Sequence, residues 1–281
     1  MNTTLRSELY KMYRCPTLWV SIIVGCGISF ITFYYAYAWK REFFNVAPYG
    51  TSYEGLSLVQ YWIGGDNISM GNTIFYTVLP MLSTIPYCWS YWNERQSHYV
   101  NHLLIRIPKK VYLLTKFFVV FLSGAIAVLI PMFLNLIMTA WVMPSITPSV
   151  LLLSPPTDGE FLSRLFYKNT LFYIVFVFVV EVLWGGTLAC VGLTASTFMH
   201  SALGAVLAPF IIFIGSSFIQ ISITSSVNSY SVEQLETNPL LLLQPWASAR
   251  APLWYVVIVI VSLFLLAYVF YRMWGNKDEM L

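Results

Sequence analysis

The chain has 281 residues, of which 58% are hydrophobic and only 10% are charged, and its mean hydropathy is +0.70. Soluble domains carry about 25% charged residues, so this composition excludes an ordinary cytosolic globule and a disordered chain. The 15 lysines and arginines exceed the 12 acidic residues by only three and form no dense basic stripe, which argues against a nucleic-acid-binding protein.

Residues 1–16 are predicted to form a cytoplasmic amphipathic helix that ends at a bend before Pro16. Its apolar residues recur four and three positions apart, which places them on one helical face: Leu5, Leu9 and Met12. The charged residues occupy the other faces: Arg6, Glu8, Lys11 and Arg14. We expect this helix to lie on the inner membrane surface. The alternative is a frayed basic tail that only fixes the orientation of the chain.

The rest of the chain, residues 17–281, is predicted to be a transmembrane domain with six spans. The apolar stretches lie at residues 17–38, 72–92, 117–143, 170–197, 201–225 and 252–271. A helix needs about 20 apolar residues to cross the hydrocarbon core, and the alternation typical of a β-barrel is missing. Ala36-Tyr37-Ala38 fits a signal-peptide cleavage pattern. The first apolar run is longer than the roughly 7–15 residues of such a signal, so we expect the span to be retained.

Loop charges set the orientation of the spans. With both termini in the cytoplasm, the inner segments hold ten lysines and arginines and the outer segments hold five. Positive residues concentrate on the cytoplasmic side of membrane proteins. The predicted fold is therefore an all-α polytopic membrane protein with six transmembrane helices, an N-terminal interface helix and both termini inside.

The inner loop between the second and third spans contains a predicted short helix at residues 98–107. The apolar residues of this helix form a stripe along one side: Val100, Leu103, Leu104 and Ile107. The loop is too short to bury the whole stripe by itself, so we expect the stripe to rest on lipid headgroups or in a groove on a partner protein. A solvated connector is the alternative.

Glu181 is the only ionisable residue within a predicted span. An intramembrane charge is costly, so Glu181 should face protein or water and is a functional candidate. It could handle a proton or cargo; alternatively, it is a protonated structural residue hydrogen-bonded to a neighbour. Small residues on the same predicted helix favour close helix packing: Gly185, Gly186, Ala189 and Gly192.

The fifth span carries a polar face whose members are Ser216, Ser217, Gln220 and Thr224. A polar strip in lipid requires either a protein interface or an aqueous path, and we expect the interface. Local kinks are predicted at the prolines within spans: Pro80, Pro86, Pro131 and Pro209.

Motifs for chemistry are missing from the sequence. There is no glycine-rich phosphate loop and no nucleophile elbow, so we expect no catalytic residue on this chain. His98 and His102 would share a helix face, but no third ligand follows at a useful spacing. We therefore expect both histidines to be solvated and no metal to bind.

These features together resemble the permease subunits of second-class ABC exporters, also called type V or ABCG-like. The likeness covers nearly the whole chain, from the basic N-terminal helix through six spans with both ends inside. The loop after the second span contributes the most specific residues: Glu94-Arg95, Leu103-Leu104, Pro108-Lys109-Lys110 and Lys116.

The resemblance implies a transport complex rather than an enzyme. Two permease chains would pair, as a homodimer or a heterodimer, and two separate ATPase subunits carrying ATP and Mg would bind beneath them. The loop would be the coupling helix, with its contacts at Glu94, Arg95, His98, Leu103, Leu104, Arg106 and Lys109. The cargo would be an amphipathic peptide, lipid or drug-like molecule, exported across a bacterial plasma membrane, and the chain itself would hold no cofactor.

Two other classes remain open at this point. A secondary transporter would use Glu181 at the membrane midplane, although such proteins usually show paired discontinuous helices. A membrane-embedded enzyme would need a convergent polar triad or a metal cluster, and the sequence contains neither.

Overall fold

The computed structural model describes residues 2–46, 57–66, 69–105, 107–143, 148, 162–199, 201–226, 238–244 and 251–277. The described residues contain no β-strand, which confirms the predicted all-helical class. They form twelve helices: α1 (Asn2–Arg14), α2 (Pro16–Val46), α3 (Leu58–Tyr61), α4 (Met70–Thr84), α5 (Ser90–Gln96), α6 (Tyr99–Leu104), α7 (Lys109–Val142), α8 (Ser163–Lys168), α9 (Thr170–Phe198), α10 (Ala202–Ser226), α11 (Pro239–Leu243) and α12 (Leu253–Lys277).

Five helices are long and apolar enough to cross a membrane. The stretches concerned are Pro16–Glu42, Lys109–Val142, Thr170–Phe198, Ala202–Ser222 and Leu253–Gly275. Their outer faces expose large apolar side chains; Ile23 is 67% exposed and Leu203 is 75% exposed. Soluble proteins rarely leave such a band open to water, so the chain is a multi-pass membrane protein.

The second predicted span, 72–92, is not one continuous helix, because the chain breaks between α4 and α5 at Pro86. Proline lacks an N–H group, so the carbonyl of Leu82 loses its helical donor. Ser21 on α2 donates its hydroxyl to that carbonyl at 2.6 Å, and Thr17 donates to the carbonyl of Pro86 at 2.7 Å. The other prolines of the predicted kinks lie within helices: Pro80, Pro131 and Pro209.

Helix α9 is the central helix, because it packs against α4, α7, α10 and α12. Gly185 on α9 meets Gly124 on α7, and a Cβ atom built on Gly185 would lie 2.9 Å from the carbonyl oxygen of Gly124. Gly186 lies against the ring of Phe121 in the same way. The prediction of close helix packing at these glycines is therefore confirmed.

Among the described residues, two large apolar clusters lie at opposite ends of the bundle, and a small third one consists of Ala36, Leu58 and Met143. Cluster I joins α4, α9 and the second half of α7 to the short helices and turns near Trp62, Phe166 and Leu243. Cluster II joins the first half of α7 to Met12 of α1 and Tyr271 of α12. Helices α1, α5 and α6 and the last turns of α12 therefore share one end of the bundle.

Candidate functional site

Helix α1 packs against the bundle along a face that includes a charged residue. Thr4, Glu8 and Met12 are spaced four residues apart and are all buried, and Leu5 and Leu9 pack beside them on cluster II. The prediction that Glu8 lies away from the packed face is therefore wrong. The apolar side of α1 therefore rests on protein, where Lys116 of α7 and the hydroxyl of Tyr87 supply partners for the Glu8 carboxylate.

Four charged side chains meet at this end of the bundle, and we call Glu8, Lys11, Glu94 and Lys116 the charge cluster. The Lys116 side chain is 0% exposed, and its Nζ lies 2.9 Å from Glu8 Oε2 and 2.9 Å from Glu94 Oε1. Lys11 Nζ lies 2.7 Å from Glu8 Oε1 and 3.2 Å from Glu94 Oε1. Two acids and two bases cancel in charge, which is how a lysine can be fully buried. The cluster connects α1, α5 and α7.

Two tyrosines complete the hydrogen bonds of the carboxylates. Tyr87 donates its hydroxyl to Glu8 Oε2 at 3.2 Å, and Tyr112 donates to Glu94 Oε2 at 2.6 Å. The ring of Tyr87 also lies 4.8 Å from Lys116 Nζ, within cation–π distance. Each carboxylate thus has several donors, so the arrangement positions three helices and offers no free base for catalysis.

The charges in this cluster stabilise each other. Burial alone would raise the pKa of Glu8, but the ion pairs with Lys116 and Lys11 hold that pKa below its usual value. Burial lowers the pKa of Lys11, but the hydrogen bond to Glu8 and the charge of Glu94 together hold it above its usual value. The stabilisation from Glu8 is present above the ordinary glutamate pKa and is lost as the pH falls through the lowered value. The stabilisation from Lys11 is lost only as the pH rises through its raised pKa.

The predicted helix at 98–107 is present as α6, which begins after His98. His98 itself is exposed and has left-handed backbone geometry with φ 54°. Leu103 and Leu104 are partly buried against cluster II, together with Val100. Helix α6 folds back onto the helix bundle of its own chain. The prediction that these leucines need lipid headgroups or a partner protein to cover them is therefore wrong.

The remaining predicted coupling residues are divided between the bundle and the surface. Arg95 donates a guanidinium hydrogen bond to the carbonyl of Thr197 at 3.4 Å, near the end of α9. Lys109 is the first residue of α7. Arg106 lies outside the described residues. Glu94 is thus the predicted residue that the structure brings into the charge cluster.

Helix α6 and the residue after it present an exposed surface, which we call the α6 tip and define as Tyr99, His102 and Ile105; on its inner side, the Tyr99 ring lies 4.7 Å from Lys11 Nζ of the charge cluster. Ile105 is 83% exposed and Tyr99 is 41% exposed. His98 and His102 are both exposed, as predicted. In the described parts of the chain, no group of three His, Cys, Asp or Glu side chains could hold a metal ion.

Glu181 lies in the middle of α9 and is 0% exposed, which confirms that it faces protein. Neither carboxylate oxygen has a hydrogen-bond partner among the described residues. The Trp184 indole N–H and the Thr187 hydroxyl, three and six residues further along the helix, have no partner there either. The hydrogen bond expected for a purely structural glutamate is therefore missing. A buried acid in such a place requires a compensating proton, water or cation.

The two serines on the polar face of α10 use their hydroxyls within the helix, and the side chain of Thr224 lies outside the described residues. Ser216 donates to the carbonyl of Ile212 at 2.6 Å, and Ser217 donates to that of Phe213 at 2.8 Å. Ser217 is buried, whereas Ser216 and Gln220 are partly exposed. Among the residues described, no hydrogen bond joins this face to Glu181.

Sequence reasoning missed Glu8 and Lys116 as a buried pair. Two signals were present. Glu8 lies four residues from Met12 and therefore on the face that Met12 buries, and Lys116 follows the apolar residues Val111–Leu114 on α7 instead of preceding them. A lysine that lies inside an apolar helix usually has an acidic partner.

No protein-family model, curated protein or solved structure matches this chain.

Proposed function

We propose that this chain is the membrane-spanning permease subunit of an ATP-driven exporter of the second ABC class. A separate ATPase subunit carrying ATP and Mg would bind at the α1 end of the bundle. The chain would hydrolyse no ATP alone. The observation that carries the proposal is the charge cluster, because it connects a short surface helix to a long membrane helix.

The arrangement of the helices supports six passes across the membrane. Phe75 and Leu82 of α4 belong to cluster I, whereas Tyr87 and Tyr91 belong to cluster II. The broken segment of α4 and α5 therefore runs from one end of the bundle to the other, and we propose that it forms a sixth pass beside the five long helices. An even number of passes agrees with α1 and the last turns of α12 sharing one end. The excess of bases in the inner segments favours the cytoplasm for that end.

The connection from the surface to the membrane runs through helix packing and one ion pair. Helix α6 packs on α5, and Glu94 of α5 contacts Lys116 of α7. Helix α7 in turn makes its most extensive contact with the central helix α9. A partner that displaced α6 would therefore move α7 and α9, provided that the charge cluster stays intact. This is the mechanical link that an ATP-driven conformational change requires.

The α6 tip is the surface that fits the ATPase. Its exposed isoleucine and tyrosine are suited to a hydrophobic groove on a partner. Arg95 and Lys109 flank the tip and would favour an acidic rim through long-range attraction. Because Leu103 and Leu104 pack on the bundle, the tip replaces them as the main predicted contact.

A second permease chain, identical or different, would complete the complex. The cargo would pass outward between the two chains in a bacterial plasma membrane. The abundance of aromatic residues, 17% of the chain, suits an amphipathic peptide, lipid or drug-like cargo.

The test compares two charge-adding substitutions in the same loop. The tagged chain is purified from its own host's membranes in mild detergent, and the ATP hydrolysis that co-purifies is measured. Ile105→Asp should remove most of this activity, because it places a charge in the proposed groove. The control Ser97→Asp adds the same charge at an exposed site outside the tip and should keep the activity. Equal activity in both variants, or hydrolysis by the permease when no ATPase is present, would overturn the proposal.

The carboxyl group of Glu181, which has no hydrogen-bond partner among the described residues, favours a second candidate, proton-coupled secondary transport. Proteoliposomes with a trapped pH-sensitive dye and an imposed membrane potential would report proton entry. Glu181→Gln should then abolish an entry that the control Ser217→Ala leaves unchanged. If wild-type vesicles and empty vesicles admit protons equally, this candidate fails.

A further inference from the structure

A groove of about 210 Å³ lies between the first turns of α7 and the last turns of α12. Six side chains line it: Lys110, Leu113, Leu114, Tyr268, Tyr271 and Arg272. The two helices approach closely beside it, since a Cβ atom on Gly275 would lie 3.2 Å from Leu113 Cδ2. The groove thus belongs to the α1 end of the bundle, where cluster II lies.

Two bases face each other across this groove. Lys110 comes from α7 and Arg272 from α12, and both side chains are exposed. Neither forms an ion pair with any residue that the structure describes. Two unpaired cations on opposite walls of one groove favour a ligand with a negative charge.

A buried tyrosine forms the floor of the same groove. Tyr271 is 1% exposed, and its ring contacts the rings of Phe117 and Tyr91 at centroid distances of 5.9 and 5.6 Å. Its hydroxyl oxygen is enclosed by protein, so a ligand in the groove meets the ring of Tyr271 and not its hydroxyl.

The surface beside the groove is apolar and faces outward. Leu114 is 48% exposed and Phe118, one turn further along α7, is 52% exposed. Helix α12 is the least buried of the long helices, with 17% of its apolar stretch inside the protein. Next to Arg272, it exposes Leu265 and Val269. A basic rim that continues into exposed apolar side chains matches the amphiphilic shape of a lipid better than the surface of a soluble partner.

We propose that this groove binds an acidic glycerophospholipid at the cytoplasmic membrane interface. Its phosphate would lie between Lys110 and Arg272, above the ring of Tyr271. The acyl chains would follow Leu114 and Phe118. Basic pockets between transmembrane helices bind acidic headgroups in this way. The site is independent of the proposed exporter function, since it uses neither the charge cluster nor the α6 tip.

The experiment measures lipid affinity of the delipidated full chain in detergent by native mass spectrometry. The wild type should bind phosphatidylglycerol at least tenfold more tightly than phosphatidylcholine. The double variant Lys110→Gln with Arg272→Gln should weaken phosphatidylglycerol binding about 30-fold, from about fivefold for each base near the membrane surface. The matched control, Arg6→Gln with Arg14→Gln, removes two exposed bases from the same end and should change the affinity less than twofold. Tyr271→Phe should change the affinity less than twofold, because the hydroxyl is enclosed beneath the groove.

A second measurement covers the case in which the double variant fails to fold. Photoactivatable phosphatidylglycerol added to the wild type should cross-link within α7 and α12 at Leu114 or Tyr268. Cross-links elsewhere, equal affinity for the two lipids, or equal weakening by the two double variants would each overturn the proposal.

Discussion

Replacing Lys116 by methionine removes one of the two bases from a cluster whose acids have little access to water. The side chains of Lys116, Glu8 and Glu94 are 0%, 2% and 12% exposed. Removing one partner of a buried ion pair costs about 3–5 kcal/mol, because a buried charge is left uncompensated. Lys11 still contacts both carboxylates at 2.7 and 3.2 Å, so we expect a loss near the lower limit, about 3 kcal/mol.

Restoring neutrality should recover part of this loss. The double variant Lys116→Met with Glu8→Gln leaves one acid and one base, and we expect it to be about 1.5 kcal/mol more stable than Lys116→Met alone. The free energy of unfolding is measured in dodecyl maltoside by titration with SDS, using the fluorescence of the ten tryptophans.

The control is Lys168→Met, which makes the same replacement at an exposed position at the end of α8. We expect it to change the free energy of unfolding by less than about 0.5 kcal/mol. If Lys116→Met costs as little as Lys168→Met, or if the double variant is less stable than the single one, the charge cluster does not hold the three helices together.

Two further predictions concern helix packing and pH. Gly185→Ala should destabilise the protein by about 1–3 kcal/mol in the same titration, because its Cβ would lie 2.7 Å from Val128 Cγ2 and 2.9 Å from the oxygen of Gly124. The control Gly27→Ala, whose Cβ would have no atom within 4 Å, should be neutral or stabilising. Equal losses of stability in the two variants would contradict this packing. Hydrogen exchange of the α1 amides, corrected for the intrinsic rate, should be constant from about pH 5 to 9. It should accelerate below about pH 4.3, where Glu8 in the unfolded chain takes up its proton. Constant protection down to pH 3 would show that the Glu8 carboxylate is not needed to hold α1 on the bundle.

Local properties of the sequence predict much of this fold. The length of an apolar run determines whether a helix can cross the membrane, and five of the six predicted stretches coincide with long helices. Small residues at Gly185 and Gly186 mark a close approach because no other residue permits it, and both positions have a neighbour in contact. The partner helix, however, cannot be deduced from the glycines alone.

Long-range pairing explains what the sequence did not predict. Glu8 and Lys116 are 108 residues apart, and each residue taken alone is typical of a solvated charge. The same applies to Leu103 and Leu104, whose apolar stripe predicts burial but not the surface that buries it. Pro86 was expected to cause only a kink, but the helix is interrupted there. The interruption depends on hydroxyl groups from α2, which the local sequence around Pro86 does not reveal.

The hydroxyls of Thr17 and Ser21 have a consequence for the biogenesis of the protein. In the six-pass arrangement proposed above, the carbonyls of Leu82 and Pro86 enter the bilayer without backbone donors, and each unpaired group in hydrocarbon costs several kcal/mol. Helix α4 has only 15 residues, so the segment from α4 to α5 is a poor candidate for independent insertion. The ribosome delivers α2 first, with both hydroxyls already in place when the broken segment leaves the translocon. Helix α2 and the segment from α4 to α5 should therefore enter the membrane together. If the first span is deleted, the second predicted span should fail to insert and remain at the membrane surface.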